Sequence, residues 1–231
     1  MKEATDERKD ATVELKITLD GSTTLYAPDF GQHYHSVHGA IQESMHVFIE
    51  AGLAYSLTKN KQINLLEVGY GTGLNAFLSY LHRQNSIIHY TGIDAYPVPA
   101  NLAMALNYPD QINAHGGAEI FKKMSNFPWN QRLILSPEFS FRKVLCMLEE
   151  FQCEDRFDLI FFDAFSPNSQ PELWTVDIFA RLYAHCNPGA IMTTYSAKGS
   201  IRRAMQAAGF SVEKLPGPPG KREMVRASRP S

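Results

Sequence analysis

Cysteine is scarce in this sequence: Cys146, Cys153 and Cys186 are the only three in 231 residues. Their spacing matches no paired metal pattern, and an odd count without a secretion signal fits reduced thiols, not a disulfide framework. Long apolar runs are missing too. None approaches the roughly 18 residues needed to cross a bilayer. Met1 to Asp10 is charged and has no apolar core, so it reads as neither a signal peptide nor an anchor. These absences predict a soluble, cytoplasmic protein with no membrane partner. Net charge is also small, −2 at pH 7, so the chain as a whole carries no electrostatic signature of nucleic-acid binding. There is no internal repeat and no low-complexity tract.

What is present is a regular alternation of strand and helix signals. Residues 1–10 are predicted to be disordered. Glu14 to Thr18 alternates as a strand, Asp20-Gly21 is a two-residue hairpin signal, and Thr23 to Tyr26 resumes the strand. A loop over 30–38 precedes an amphipathic helix over 39–57. These form an N-terminal extension, residues 1–57. From residue 58 to 231 strands are predicted at 63–68, 87–93, 132–135, 157–162, 190–195, 210–215 and 222–227. Helices fall at 74–83, 99–106, 141–151, 172–186 and 200–208, and residues 107–130 read as irregular. Such alternation predicts an α/β fold with a parallel sheet covered on both faces. Only Pro216 to Gly220 separates the last two strands, so they must form an antiparallel hairpin. A seven-stranded, mostly parallel sheet ending in that hairpin is the layout of Rossmann-type class I methyltransferases.

The segment Glu67-Val68-Gly69-Tyr70-Gly71-Thr72-Gly73-Leu74-Asn75 follows a strand and opens a helix. Glycines there let the backbone turn and approach a ligand closely. The spacing is G-x-G-x-G; the dinucleotide fingerprint requires a glycine where Leu74 stands. That disfavours a nicotinamide cofactor and points to S-adenosylmethionine. Glu67 just before the loop and Asp94 at the end of the second strand are the candidate acids beside it, Asp94 where ribose hydroxyls are held. A purely structural turn is the alternative reading of the glycines alone.

The run Phe157-Asp158-Leu159-Ile160-Phe161-Phe162-Asp163-Ala164-Phe165-Ser166-Pro167 is an apolar strand that stops on an acid. Ligands of open α/β sheets bind at the carboxyl ends of strands. Asp163 is therefore the candidate catalytic group, whereas Asp158, at the strand entry, reads as structural. Phe165 and Trp174, around the same strand end, suggest a seat for a flat, amine-bearing substrate. His33, Tyr34, His35, Ser36 and His38 crowd one loop. No acid or cysteine completes a metal pattern there, so the loop reads as a cover for cofactor or substrate, with no metal site expected. Glu43, early in the next helix, reads as a dipole-favoured acid. From Ser196 to the end, eight bases face two acids, which suits either a solvated terminus or a phosphate-contacting face.

Taken in order, these residues resemble the tRNA 5-aminomethyl-2-thiouridine methyltransferases, the methyltransferase half of the bifunctional MnmC enzymes. The resemblance spans about Asp20 to Ala227. It rests on Asp20-Gly21-Ser22 with Tyr34, Ser36, Gly39, Glu43, Val47 and Phe48, on the glycine loop with Glu67 and Asn75, and on Asp163-Ala164-Phe165-Ser166-Pro167 with Pro171-Glu172-Leu173-Trp174-Thr175. Arg202-Arg203 with Ala208-Gly209-Phe210, and Gly220-Lys221-Arg222-Glu223-Met224, complete it. The resemblance implies S-adenosylmethionine held by Glu67, Gly69, Gly71, Gly73, Asn75, Asp94, Tyr34 and Ser36. It implies methyl transfer to the exocyclic aminomethyl nitrogen of a wobble uridine, so the partner is a tRNA anticodon stem-loop. Phe165 and Trp174 would stack on the uracil, and Arg202, Arg203, Lys221 and Arg222 would grip phosphates. No flavin oxidase segment follows Met224, so a stand-alone methyltransferase is expected, dependent on a separate enzyme that supplies the aminomethyl-uridine. Many family members carry an acid at the end of the third strand; here Glu138 is the nearest candidate. A class I methyltransferase for another RNA base or a small amine, and a non-catalytic RNA-binding module on the same fold, are the competing readings.

Overall fold

The computed structural model describes residues 14–230; the disorder predicted for residues 1–10 lies outside them. The central sheet is built on strands whose alternation serves two cores at once. In β4 (Gln62–Val68), Ile63 and Leu65 pack into one apolar cluster, and Leu66 and Val68 into the other. Both faces are therefore buried, which is why the strand reads as a nearly continuous apolar run. Alongside β4 lie β5 (Ile87–Asp94), β7 (Phe139–Leu145), β8 (Phe157–Phe162) and β9 (Cys186–Thr194), all parallel. One end is closed by β10 (Ser211–Pro216) and β11 (Glu223–Ser228), the other by β6 (Arg132–Ser136). The order is β10-β11-β9-β8-β4-β5-β7-β6, with β11 antiparallel to both its neighbours and β6 antiparallel to β7.

Eight strands stand where seven were expected. The extra one comes from residues 139–145, within a stretch expected to be helical from 141. The spacing of Phe141, Val144, Leu145 and Leu148 suits a helix. Phe139, Phe141 and Lys143 also alternate as a strand, and all three are buried. Seven-residue register with β5 decides in favour of the strand. The predicted third strand, 132–135, becomes the edge strand β6. Residues 107–130 are not irregular: they hold α5 (Tyr108–Ile112) and α6 (Gly117–Asn126). The Pro109 and Gly116 that read as breakers lie at the first turn of α5 and the N-cap of α6, positions that suit both residue types.

One face of the sheet is covered by α3 (Leu74–Leu81), α6 and a continuous helix over 40–57. That helix is α-wound at α1 (Ala40–Ser44) and α2 (Tyr55–Leu57), and π-wound over Met45–Ala54. Gly52 lets it sit close to β8, since a Cβ there would lie 2.9 Å from the Phe161 ring. The other face is covered by α7 (Val176–His185) and α8 (Gly199–Ala207). A short helix α4 (Ala100–Met104) follows β5.

A separate three-stranded sheet, β1 (Glu14–Ile17), β2 (Thr23–Ala27) and β3 (Gln32–His33), precedes the 40–57 helix. Its hairpin caps that helix: Gln42 N donates to Asp20 Oδ2 at 3.0 Å and Ala40 N to Ser22 Oγ at 3.2 Å. Free N–H groups of a first turn need such acceptors. The chain fills β4, β5 and β7 outward on one side, then returns to place β8 and β9 on the other. Strand order therefore reverses between β4 and β8, the position where open α/β sheets part to admit a ligand.

Candidate active site

At that reversal the carboxyl ends of the strands open on a cavity of about 530 Å³, within the size range of small-molecule and cofactor sites. Gly69 and Gly71, after β4, line it, as do Asp94, at the end of β5, and Asp163, just beyond β8. The two neighbouring strand ends touch: Asp163 N donates to Val68 O at 2.9 Å. Gly69 has φ +85°, and a Cβ on it would lie 2.6 Å from the Asp163 carbonyl oxygen. Only glycine permits that approach. Gly71 N donates to Asp94 Oδ2 at 2.8 Å and Tyr96 N to Asp94 Oδ1 at 2.8 Å. Burial nonetheless raises the Asp94 carboxyl, with the Gly71 amide opposing it.

Asp163 is part-buried and accepts from Asn75 Nδ2 at 2.8 Å. Burial raises its carboxyl to about 7, and the nearby Glu43 adds to this; Asn75 and Lys221 pull the other way. The same Asn75 Nδ2 reaches Glu67 Oε1 at 2.9 Å, and Tyr90 Oη donates to Glu67 Oε2 at 2.6 Å. Glu67 has no exposed surface, and burial drives its carboxyl well above the usual range. Glu67 and a bridging Asn75 thus hold Asp163 from behind.

Glu67, Gly73 and Asn75 do not line the cavity. Strand alternation turns Glu67 into the core with Leu65. Gly73, at φ +82°, caps α3 beside the Tyr70 hydroxyl. Tyr34 and Ser36 do line the cavity, and Tyr34 packs over Gly71, whose Cβ would lie 3.1 Å from its ring. His35 lies near Thr24, Thr72 and Tyr108 and is held to about 4 by burial, hence neutral. Among the described residues no group of three or more His, Cys, Asp or Glu could hold a metal.

Trp174 does not line the cavity either. Its indole is buried, donates to Phe165 O at 2.9 Å and packs edge-on against Phe162 and Tyr195. It fixes the Phe165 main chain and offers no free face. Phe165 lines the cavity, with Phe30 stacked on it at 4.3 Å and Tyr34 tilted against it at 5.1 Å. Arg202, Arg203 and Arg222 lie outside the cavity lining, whereas Lys221 turns into it. Lys221 Nζ pairs with Glu43 Oε1 and sits 3.9 Å above the Tyr195 ring. Glu138 falls in the β6–β7 turn, at the opposite end of the sheet. The carboxyl end of β7 instead brings Cys146, Met147 and Glu149 to the cavity. Misplacing the third strand misplaced that acid.

Glu43 is the functional candidate that residue-type reasoning passed over as a helix-dipole acid. It is 8% exposed, lines the cavity and accepts from Ser36 N at 2.9 Å. The clue was its place in the same matched block as Tyr34 and Ser36.

Residues 135–230 match a family model described as S-adenosyl-L-methionine-dependent methyltransferase. That match covers the C-terminal part of the chain, from β6 to β11. Across 217 residues, 87% of this chain, it is 30% identical to the tRNA 5-methylaminomethyl-2-thiouridine biosynthesis bifunctional protein MnmC of Polaromonas naphthalenivorans. To the protein of that name from Delftia acidovorans it is 27% identical over 219 residues, 88% of this chain. In both cases it spans 33% of the relative's length. Among solved structures, MNMC2 from Aquifex aeolicus superposes with a TM-score of 0.74 at 24% identity, over 97% of this chain and 74% of that one. CalS10, an amino pentose methyltransferase from Micromonospora echinaspora solved with S-adenosylmethionine, gives 0.50 at 13% identity, over 87% and 94%. The fold is therefore that of these methyltransferases, and S-adenosylmethionine is the cofactor named by the matched family model. The cradle fits that cofactor on structural grounds: two glycines leave no Cβ over the loop, and Asp94 presents a carboxylate to the cavity from the second strand.

Proposed function

We propose that this domain methylates the exocyclic aminomethyl nitrogen of a 5-aminomethyl-uridine at the wobble position of tRNA, in the cytoplasm. One observation carries the reading: a carboxyl whose proton affinity lies near neutral pH, Asp163, stands in the cavity wall beside the glycine cradle. The names of the MnmC relatives support the choice of substrate.

In this reading Gly69 and Gly71 face the cofactor with main chain, Asp94 accepts from ribose hydroxyls, and Tyr34 covers the loop. When bound, S-adenosylmethionine supplies a methyl group on a positively charged sulfur. The remaining problem is the acceptor. A primary alkylamine is mostly protonated at neutral pH and then has no lone pair. Asp163, with a carboxyl near 7, is matched to take that proton and hold the freed nitrogen in line. Asn75 fixes the carboxylate's direction through its bond to Oδ2, so that part of the alignment is built before the substrate arrives. Cys146 and Met147 line one wall. Arg202, Arg203 and Arg222, outside the cavity, would meet anticodon-loop phosphates. The aminomethyl group must already be on the uridine, so a separate activity supplies it.

The test is incubation of the protein and S-adenosylmethionine with tRNA bearing 5-aminomethyl-uridine, followed by mass spectrometry of the nucleosides. A gain of one methyl on that nucleoside is expected. A methyl on another base, or turnover only with a free small amine, would replace this reading with another methyltransferase activity.

A further inference from the structure

Inside the cavity a lysine already occupies a site built for an amine. Lys221 comes from the turn between β10 and β11, where Pro219 and Gly220 are exposed. Its Nζ is paired with Glu43 and lies over the ring of Tyr195, in the cavity that Asp163 also lines. The parts around that ammonium are fixed. Glu43 is buried at the start of the 40–57 helix, and its other oxygen is held by Ser36 N. The Tyr195 ring is pinned by its hydroxyl, which donates to Ala164 O at 2.9 Å. A carboxylate and an aromatic face together make an ammonium site. The lysine in it is the movable part: a compact, strongly hydrated charge on a flexible four-carbon stem, with about a third of its side chain exposed.

We infer that the Glu43 carboxylate and the Tyr195 ring face form the seat for the ammonium group of the acceptor, and that Lys221 is a placeholder which that ammonium displaces. This rests on the reading that the acceptor is a primary amine. The lysine Nζ and the acceptor amine are the same chemical group, so one can take over the other's ion pair and ring contact. The lysine then returns to water from an exposed turn. The arrangement selects for charge. A buried carboxylate left without a partner is costly, so a neutral or anionic acceptor cannot release Lys221 without leaving Glu43 unpaired. It also delivers the acceptor beside Asp163 before any proton has moved. Lys221 is in this view a specificity-determining residue and not a phosphate contact.

The test uses ethylammonium chloride as the probe, titrated by calorimetry into the protein saturated with S-adenosylhomocysteine. Lys221→Met should bind ethylammonium at least tenfold more tightly than the wild type, because nothing has to leave the seat. Lys221→Arg should restore weak binding, and adding Glu43→Gln to Lys221→Met should abolish the gain. If Lys221→Met is unstable, ethylammonium should raise its melting temperature more than it raises that of the wild type. Equal affinity in wild type and Lys221→Met with no melting difference, or a gain that survives Glu43→Gln, overturns the inference. No RNA is involved. Tight ethylammonium binding with no methylation of aminomethyl-uridine tRNA would overturn the proposed function alone, and the reverse pattern this inference alone.

Discussion

Replacing Asp163 by asparagine should stabilise the cofactor-free protein, and the gain should grow with pH. The carboxyl moves from an ordinary 3.8 to about 7 in the fold, chiefly through burial and then through Glu43. The folded state therefore holds a proton that the unfolded chain releases earlier. That stability is fully present below about 3.8, falls as pH rises through the window to about 7, and is flat above it. At about 1.4 kcal/mol for each tenfold change in proton affinity, the ceiling is about 4 kcal/mol. Water at the open side of the cavity reduces this to about 2 kcal/mol. Asparagine keeps an oxygen to accept from Asn75 Nδ2 and carries no charge to bury. Urea unfolding without cofactor should show Asp163→Asn ahead by about 2 kcal/mol at pH 8, which is roughly 1 M in midpoint at typical slopes. At pH 4 the lead should shrink to about a quarter of that. A lead that is the same at both pH values, or a variant less stable than wild type at pH 8, would refute the placement of Asp163 as a carboxyl with near-neutral proton affinity.

Gly69→Ala should cost more than about 3 kcal/mol and abolish S-adenosylhomocysteine binding, because φ +85° is strained for alanine and its Cβ would strike the Asp163 main chain. Gly116→Ala, also at positive φ but with nothing within 4 Å, should cost only about 1 kcal/mol, and thermal melts of the pair separate strain from collision. Trp174→Phe keeps the ring packing but leaves the Phe165 carbonyl unpaired, at about 1–2 kcal/mol and so roughly 3–6 °C in melting temperature. Calorimetry should find its cofactor affinity within about twofold of wild type; a larger loss would return the indole to the cavity wall.

Legibility in the sequence followed the range of the interactions. The glycine loop could be found because the turn from β4 into α3 is local, and positive φ at Gly69, Gly71 and Gly73 leaves a residue-type signature. Asp94 and Asp163 could be found because a strand that ends on an acid is a pattern within one segment. The segment 139–145 could not, since its residues satisfy both helical and strand periods, and β5 chose between them. The error at Glu138 followed directly from that one.

The composition and local patterning of this chain were enough to determine an α/β layout, the glycine turn after β4 and the acids at the ends of β5 and β8. Those features depend on strand period, turn chemistry and order along the chain. Which polar groups face the cavity was decided only by the folded structure. Glu67 and Trp174 carry functional-looking residue types, yet strand alternation and packing turn both into supports. Glu43 and Lys221 lie 178 residues apart, and no local pattern reports that they meet. Their pairing arises because the 40–57 helix and the β10–β11 turn arrive at the same end of one sheet, where the low exposure of Glu43 obliges it to find a cation.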